Sequence, residues 1–190
     1  MNRKFRNTTD FELVRMLRND KKLSGEAFKE LYSRYSPNVH AYCFKIFKEE
    51  SPAEDIFQET FMRFYQNVRE QDGKVNVHGY LITIARNLSL NHKKKNERIV
   101  YSDKLDLLED DYNRQDRKEL LSLISMALEL LDFKYQDAFV LKEYNGLTYE
   151  EIAEVTGTTI NNAKSRVFRA RNKIKEILKP YLKDLEKHFK

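Results

Sequence analysis

Between Ile160 and Lys179 the chain sets seven Lys or Arg residues against a single Glu and interleaves them with Asn161, Asn162 and Ser165. Amide, hydroxyl and guanidinium groups are the side chains that address base edges in a major groove, and flanking cations suit phosphate oxygens. On a helical wheel Asn161, Asn162, Ser165, Arg169 and Asn172 share the outward side, with Lys164, Arg166 and Arg171 on its flanks. Ile160, Ala163, Val167, Ala170, Ile174 and Ile177 recur three and four residues apart and are expected to form the inward stripe. A solvated surface helix is the competing account, but such helices mix their charges. The excess of cations favours a helix that reads duplex DNA.

Residues suited to catalysis are sparse. His40, His78, His92 and His188 are scattered, no Cys/His cluster has zinc spacing, and there is no phosphate-binding glycine loop or nucleophile motif. Glu150 and Glu151 adjoin, but a capping role accounts for Glu151. The chain is expected to be no enzyme and to need no cofactor or metal.

The elements that must carry the cationic helix are legible upstream of it. Thr148 to Glu151 has the spacing of a reciprocal cap, which starts a short helix burying Ile152, Ala153 and Val155. Gly157 supplies a turn through left-handed backbone, and Thr159 is placed to cap the second helix. A capped helix, a glycine turn and a basic polar helix make a helix-turn-helix.

The totals support this. With 190 residues, 41% hydrophobic and 34% charged, and only 5 Gly and 3 Pro, sustained helical periodicity points to an all-α protein. The net charge of +5 and pI near 9.1 suit a polyanionic partner. Cys43, the one cysteine, sits among apolar neighbours and reads as a buried thiol. No apolar run reaches the ~18 residues of a membrane span, and "MNRKFRNTTD" lacks a signal peptide's apolar core, so a cytoplasmic protein without membrane insertion is expected.

Four amphipathic segments between residues 10 and 98 predict one helical bundle, residues 99–116 an acidic flexible linker, and residues 117–180 a second small helical domain. The third segment is expected to start with Ser51 as cap and Pro52 at the first helical position. Its apolar side is Ile56, Phe57, Phe61, Phe64 and Val68, leaving Asp55, Gln58, Glu59 and Met62 on an exposed side that suits a protein partner or solvent equally well. In the fourth segment, read from Tyr80, Leu81, Ile84, Ala85 and Leu88 face inward, Asn87 lies on an exposed flank and Leu90 points outward. Arg86, Lys93, Lys94, Lys95 and Arg98 give that helix end a second basic patch.

"SPAEDIFQETFMRFY", "GYLITIARNLSLNHKK" and "LTYEEIAEVTGTTINNAKSRVFRAR" resemble, in order and spacing, conserved regions 2 and 4 of sigma factors. With no region 3 domain between them, the chain is similar to the compact extracytoplasmic-function group. The resemblance implies a transcription initiation factor that binds core RNA polymerase, directs it to particular promoters and helps open them. Asp55, Gln58, Glu59 and Met62 would then meet the clamp helices of the β′ subunit, and the β flap is a further part of core polymerase that the resemblance implies as a partner. Asn87, with the loop from Gln71 to His78 that holds Asp72, Lys74 and Asn76, would capture an unstacked base of the minus-ten element. Lys93, Lys94 and Lys95 would supply charge along the strand. Tyr80, where the family usually has Trp, is expected to anchor its helix more than to stack on a base. Thr159, Asn161, Asn162, Lys164, Ser165, Arg166, Arg169 and Arg171 match the minus-thirty-five recognition helix, with Asn162 and Ala163 replacing a common Thr-Val pair. An anti-sigma factor is a further implied partner. A stand-alone helix-turn-helix repressor or activator is the alternative, and it leaves the first domain's basic patch unexplained.

Overall fold

The computed structural model of the protein describes residues 5–47, 49–70, 73–97 and 115–188. Eight helices are formed by the described residues, and no strand occurs among them. Two compact units divide the chain, the first comprising Met1–Asn91 with Glu154–Gly157 and the second His92–Ala153 with Thr158–Lys190. The acidic stretch expected as a linker lies outside the described residues as far as position 114. Its last two positions, Gln115 and Asp116, already belong to a helix.

The first unit is built on α1 (Asp10–Asn19), α2 (Ser24–Ile46), α3 (Glu50–Asn67) and α4 (Val77–Glu97). Thr9 opens α1 with a reciprocal cap. Its hydroxyl accepts from the Glu12 amide at 3.3 Å, while the Glu12 carboxylate accepts from the Thr9 amide at 2.9 Å. Two amides that a helix start leaves orphaned are thereby satisfied, and the bond from the Thr9 backbone holds the Glu12 carboxyl below its ordinary range. Leu13, Val14 and Leu17 of α1 enter the core, which Leu31, Val39, Tyr42 and Cys43 of α2 and Ile56, Phe61 and Phe64 of α3 complete. Burying aliphatic and aromatic side chains of this size stabilises the unit by about 1.5–3 kcal/mol each.

Two helix starts differ from the sequence expectation. α3 begins at Glu50 with extended Glu49 at the cap, so Ser51 lies inside the first turn and caps nothing, and Pro52 sits third in the helix. Proline is tolerated there because first-turn amides have no helical acceptor to lose. α4 begins at Val77, ahead of Tyr80, because the Asn76 side-chain oxygen accepts from the Gly79 amide at 3.0 Å.

The inward face of α4 also shifts. Val77, Leu81, Ile82, Ile84, Ala85 and Ser89 are buried, whereas Leu88, expected inward, and Leu90, expected outward, are both half-buried. Ser89 can occupy the core because its hydroxyl donates to the Ala85 carbonyl one turn back, at 2.8 Å.

The second unit holds α5 (Gln115–Glu129), α6 (Phe133–Glu143), the first residues of α7 (Tyr149–Thr156) as far as Ala153, and α8 (Ile160–His188). Ala127, Leu128, Leu131 and Tyr135 pack with Ala170, Ile174 and Leu178 of α8 in one apolar cluster. The inward stripe of α8 is therefore Ala163, Val167, Ala170, Ile174 and Leu178. Ile160, expected inward, is 40% exposed at the first position of α8, and Ile177 is only partly buried against the cluster. Alternating steps of four and three average about 3.5 residues, slightly short of the helical repeat, so a stripe continued to Ile177 drifts off the buried face and Leu178 takes its place.

Candidate nucleic-acid interface

The helix-turn-helix is built by side chains that terminate and start its helices. The Thr148 amide donates to the Glu151 carboxylate at 2.8 Å, and the Glu151 amide donates to the Thr148 hydroxyl at 3.2 Å, so α7 starts with both donors satisfied. Ile152, Ala153 and Val155 are buried beneath it. α7 ends at Gly157, whose φ of 61° is left-handed backbone that costs little only without a Cβ. The Thr159 hydroxyl then accepts from the Asn162 amide at 3.2 Å and caps α8.

Along α8 the outward residues are presented as the wheel implies. Thr159, Asn161, Asn162, Lys164, Arg169 and Arg171 are exposed, and Ser165 and Arg166 are half-buried. Several are also held by partners within the unit. The Asn162 side-chain amide donates to the Thr158 hydroxyl at 3.3 Å. The Arg171 Nε and Nη2 atoms donate to Glu143 Oε1 at 3.0 and 2.5 Å. Arg169 hydrogen-bonds the Tyr135 hydroxyl, and that bond holds the phenol below its ordinary range. The Lys164 ammonium lies 5.8 Å from the Tyr149 ring centre and that of Lys173 lies 5.3 Å from the Tyr135 ring centre. Arg169, Lys164 and Lys173, held by neutral partners, are ordered before any ligand arrives, which lowers the entropy a polyanion must offset on binding, whereas the Glu143 carboxylate competes with phosphate for Arg171.

Sequence reasoning passed over Phe168, which is 63% exposed in the middle of α8. Its neighbours one turn back are Lys164 and Ser165, both on the polar side. The signal was present, since Phe168 is an apolar residue out of phase with the buried stripe.

In the first unit Asp55, Gln58 and Met62 are exposed along α3, and Glu59, half-buried, is paired with Arg63 at 2.6 Å. Gln58 and Met62 border an open apolar cleft of ≈ 360 Å³, walled by Phe28, Tyr32, Phe57, Phe61 and Tyr65. The rings beneath it meet edge-on or tilted, with centroids 5.0 Å apart for Phe28 and Tyr65 and 4.6 Å for Tyr32 and Phe61. The α3 side thus joins carboxylates and an amide to an apolar recess, which a solvated face does not require.

Lys74 and Asn76 are exposed, as are Asn87, Lys94 and Lys95, while Lys93 is half-buried. Asp72 lies outside the described residues. Tyr80 is half-buried with its ring tilted on that of Phe64 at 6.0 Å.

Comparison with known proteins agrees with this arrangement. Residues 31–99 match the family Sigma-70 region 2, and residues 121–174 match Sigma-70, region 4. The RNA polymerase sigma-H factor of Pseudomonas aeruginosa is 27% identical, with 92% of this chain and 96% of that protein covered. The ECF RNA polymerase sigma factor SigM of Bacillus subtilis is 29% identical, over 78% of this chain and 93% of that protein. Among solved structures, the sigma factor RpoE of Bartonella quintana, in complex with the anti-sigma factor NepR, superposes with a TM-score of 0.69 at 28% identity, covering 81% of this chain and 98% of that one.

A region 2 bundle followed by a region 4 helix-turn-helix defines a transcription initiation factor, a protein that works with core RNA polymerase on promoter DNA. The chain belongs to the sigma-70 family, in its extracytoplasmic-function group. The alternative of a stand-alone repressor or activator is not favoured, because it leaves the region 2 match unexplained.

Proposed function

We propose that three surfaces divide the work of initiation. Asp55, Gln58, Glu59 and Met62, with the apolar cleft beside them, receive the clamp helices of the β′ subunit, and the second unit meets the β flap. Lys74, Asn76, Asn87, Lys93, Lys94 and Lys95, together with Asp72, capture the minus-ten strand, Tyr80 supporting the helix that presents them. Thr159, Asn161, Asn162, Lys164, Ser165, Arg166, Arg169 and Arg171 read the minus-thirty-five element, where Phe168 offers apolar contact to a thymine methyl group.

The observation that carries this reading is the exposed α3 ridge, where carboxylates adjoin an aromatic recess away from the helix-turn-helix. Residues 10–98 form the polymerase and minus-ten domain, residues 99–116 the tether, and residues 117–180 the minus-thirty-five domain. The protein carries no catalysis itself and acts in the cytoplasm, where polymerase is found. RpoE was solved in complex with the anti-sigma factor NepR, which supports an anti-sigma factor as a partner of this chain too. The test is binding to core polymerase by the double variant Asp55→Lys, Glu59→Lys. Lost binding with unchanged helical content supports the reading, and unaltered affinity contradicts it.

A further inference from the structure

We infer that Arg18, on α1, is a positioning residue for minus-ten recognition, because it fastens the two described ends of the α3–α4 connection that delivers Lys74, Asn76 and Asn87. The inference rests on the minus-ten reading above. Its geometry is independent of that reading. The Arg18 Nε atom donates to the Val68 carbonyl at 2.8 Å, and Nη1 donates to the Gly73 carbonyl at 3.2 Å.

Each part of this contact has a physical reason. Val68 is the C-cap of α3, so its carbonyl belongs to the set that a helix end leaves without an internal partner. A guanidinium there also meets the negative end of the helix dipole. Gly73 takes a φ of 83°, turning the chain toward Asn76, whose side chain starts α4. The planar fork sets Nε and Nη1 apart so that each meets its own carbonyl, and the single nitrogen of a lysine ammonium, though it carries three donors, cannot stand at both positions. Leu13, Val14 and Leu17 are buried, so α1 is a rigid mount for the fork. Residues 50 and 55 positions apart in the chain are thereby joined through one side chain. Releasing it leaves the core intact and frees the entry into α4.

The experiment uses holoenzyme formed from the full chain and core polymerase. Opening is followed with 2-aminopurine in the minus-ten element, across a panel of single-base variants of the minus-ten and minus-thirty-five elements. Arg18→Gln and Arg18→Lys are expected to slow opening by about tenfold, the scale of one charge-assisted hydrogen bond. They should also flatten the preference among minus-ten variants, with core affinity and the minus-thirty-five profile unchanged. A merely structural role would lower the melting temperature without altering base preference. Arg18→Lys keeps the charge and stem, so it provides the answer should Arg18→Gln fail to fold. Parental minus-ten preference in Arg18→Lys would overturn the inference. Lys74→Ala and Asn87→Ala run alongside: if they change the minus-ten profile and the Arg18 variants do not, Arg18 alone is misassigned. If none of the four changes it, the minus-ten reading fails and the inference fails with it.

Discussion

Arg171 of α8 grips Glu143 of α6, with Nε and Nη2 at 3.0 and 2.5 Å from the same carboxylate oxygen. An arginine that the sequence places on the phosphate flank of the reading helix is thus engaged in fixing that helix to its neighbour. The hydrogen bond to Glu143 raises the already high pKa of the guanidinium. Both side chains are substantially exposed, at 51% and 36%, and solvent screening keeps such a pair weak. A double-mutant cycle with Arg171→Ala and Glu143→Ala should give a coupling of about 0.2–1 kcal/mol in thermal denaturation. Glu143→Ala should tighten DNA binding, since it releases a cation and removes a like charge to phosphate. A coupling near zero together with unchanged DNA affinity would show that the pair orders nothing.

The two basic surfaces should fail in different ways. Arg169→Ala and Asn162→Ala are expected to weaken promoters according to their minus-thirty-five sequence, each base contact carrying about 1–3 kcal/mol. Replacing Lys93, Lys94 and Lys95 with Ala should slow opening at all promoters and reduce the salt dependence, because phosphate contacts carry no sequence information. Salt titrations over a promoter panel separate the cases, and identical profiles from both sets would contradict the division.

Gly157 should tolerate little. A Cβ there would meet no atom within 4 Å, so the penalty of Gly157→Ala is backbone strain alone. Left-handed backbone costs an L-residue about 1–2 kcal/mol, and urea denaturation should show that loss. Gly157→Asn should recover part of it, since Asn enters this region more readily. Equal stability of all three would mean the turn relaxes at no cost.

Much of this was legible in the sequence where the cause is local. The Thr148–Glu151 cap, the Gly157 turn, the Thr159 cap and the buried run from Ala163 to Ile174 are all set by residues within one or two turns of each other. Misplacements arose where tertiary packing decides: Ile160 lies at a helix end with too little above it, and Leu178 displaces Ile177 as the stripe drifts. Ser51 looked like a cap, yet the chain reaches helical geometry before it. Arg18 carried no signal at all, because its acceptors are backbone carbonyls that any residue could supply. Tyr135, likewise, shows its link to Arg169 only once α6 and α8 are folded together.

Cys43 gives a prediction in pH. Burial pushes its thiol up to about 12, whereas an unfolded chain ionises it from about 8.5. Below that lower value both states hold the proton and nothing is lost. Above it only the unfolded chain releases the proton, so stability falls as pH rises toward the folded value. The loss should reach about 2 kcal/mol by pH 10. Cys43→Ala should flatten this alkaline slope whatever its effect at neutral pH, and in the native protein the thiol should resist iodoacetamide at pH 8. An unchanged slope in Cys43→Ala would refute the assignment.

Run-off transcription with added core polymerase tests the central claim most directly. Templates would carry a promoter selected by the protein itself from a random library, intact or with either element scrambled. Discrete transcripts should arise only when chain and core polymerase are both present, and scrambling either the minus-ten or the minus-thirty-five element should abolish them. Tight binding of the isolated chain to the duplex promoter, with no transcript on adding core polymerase, would contradict the account.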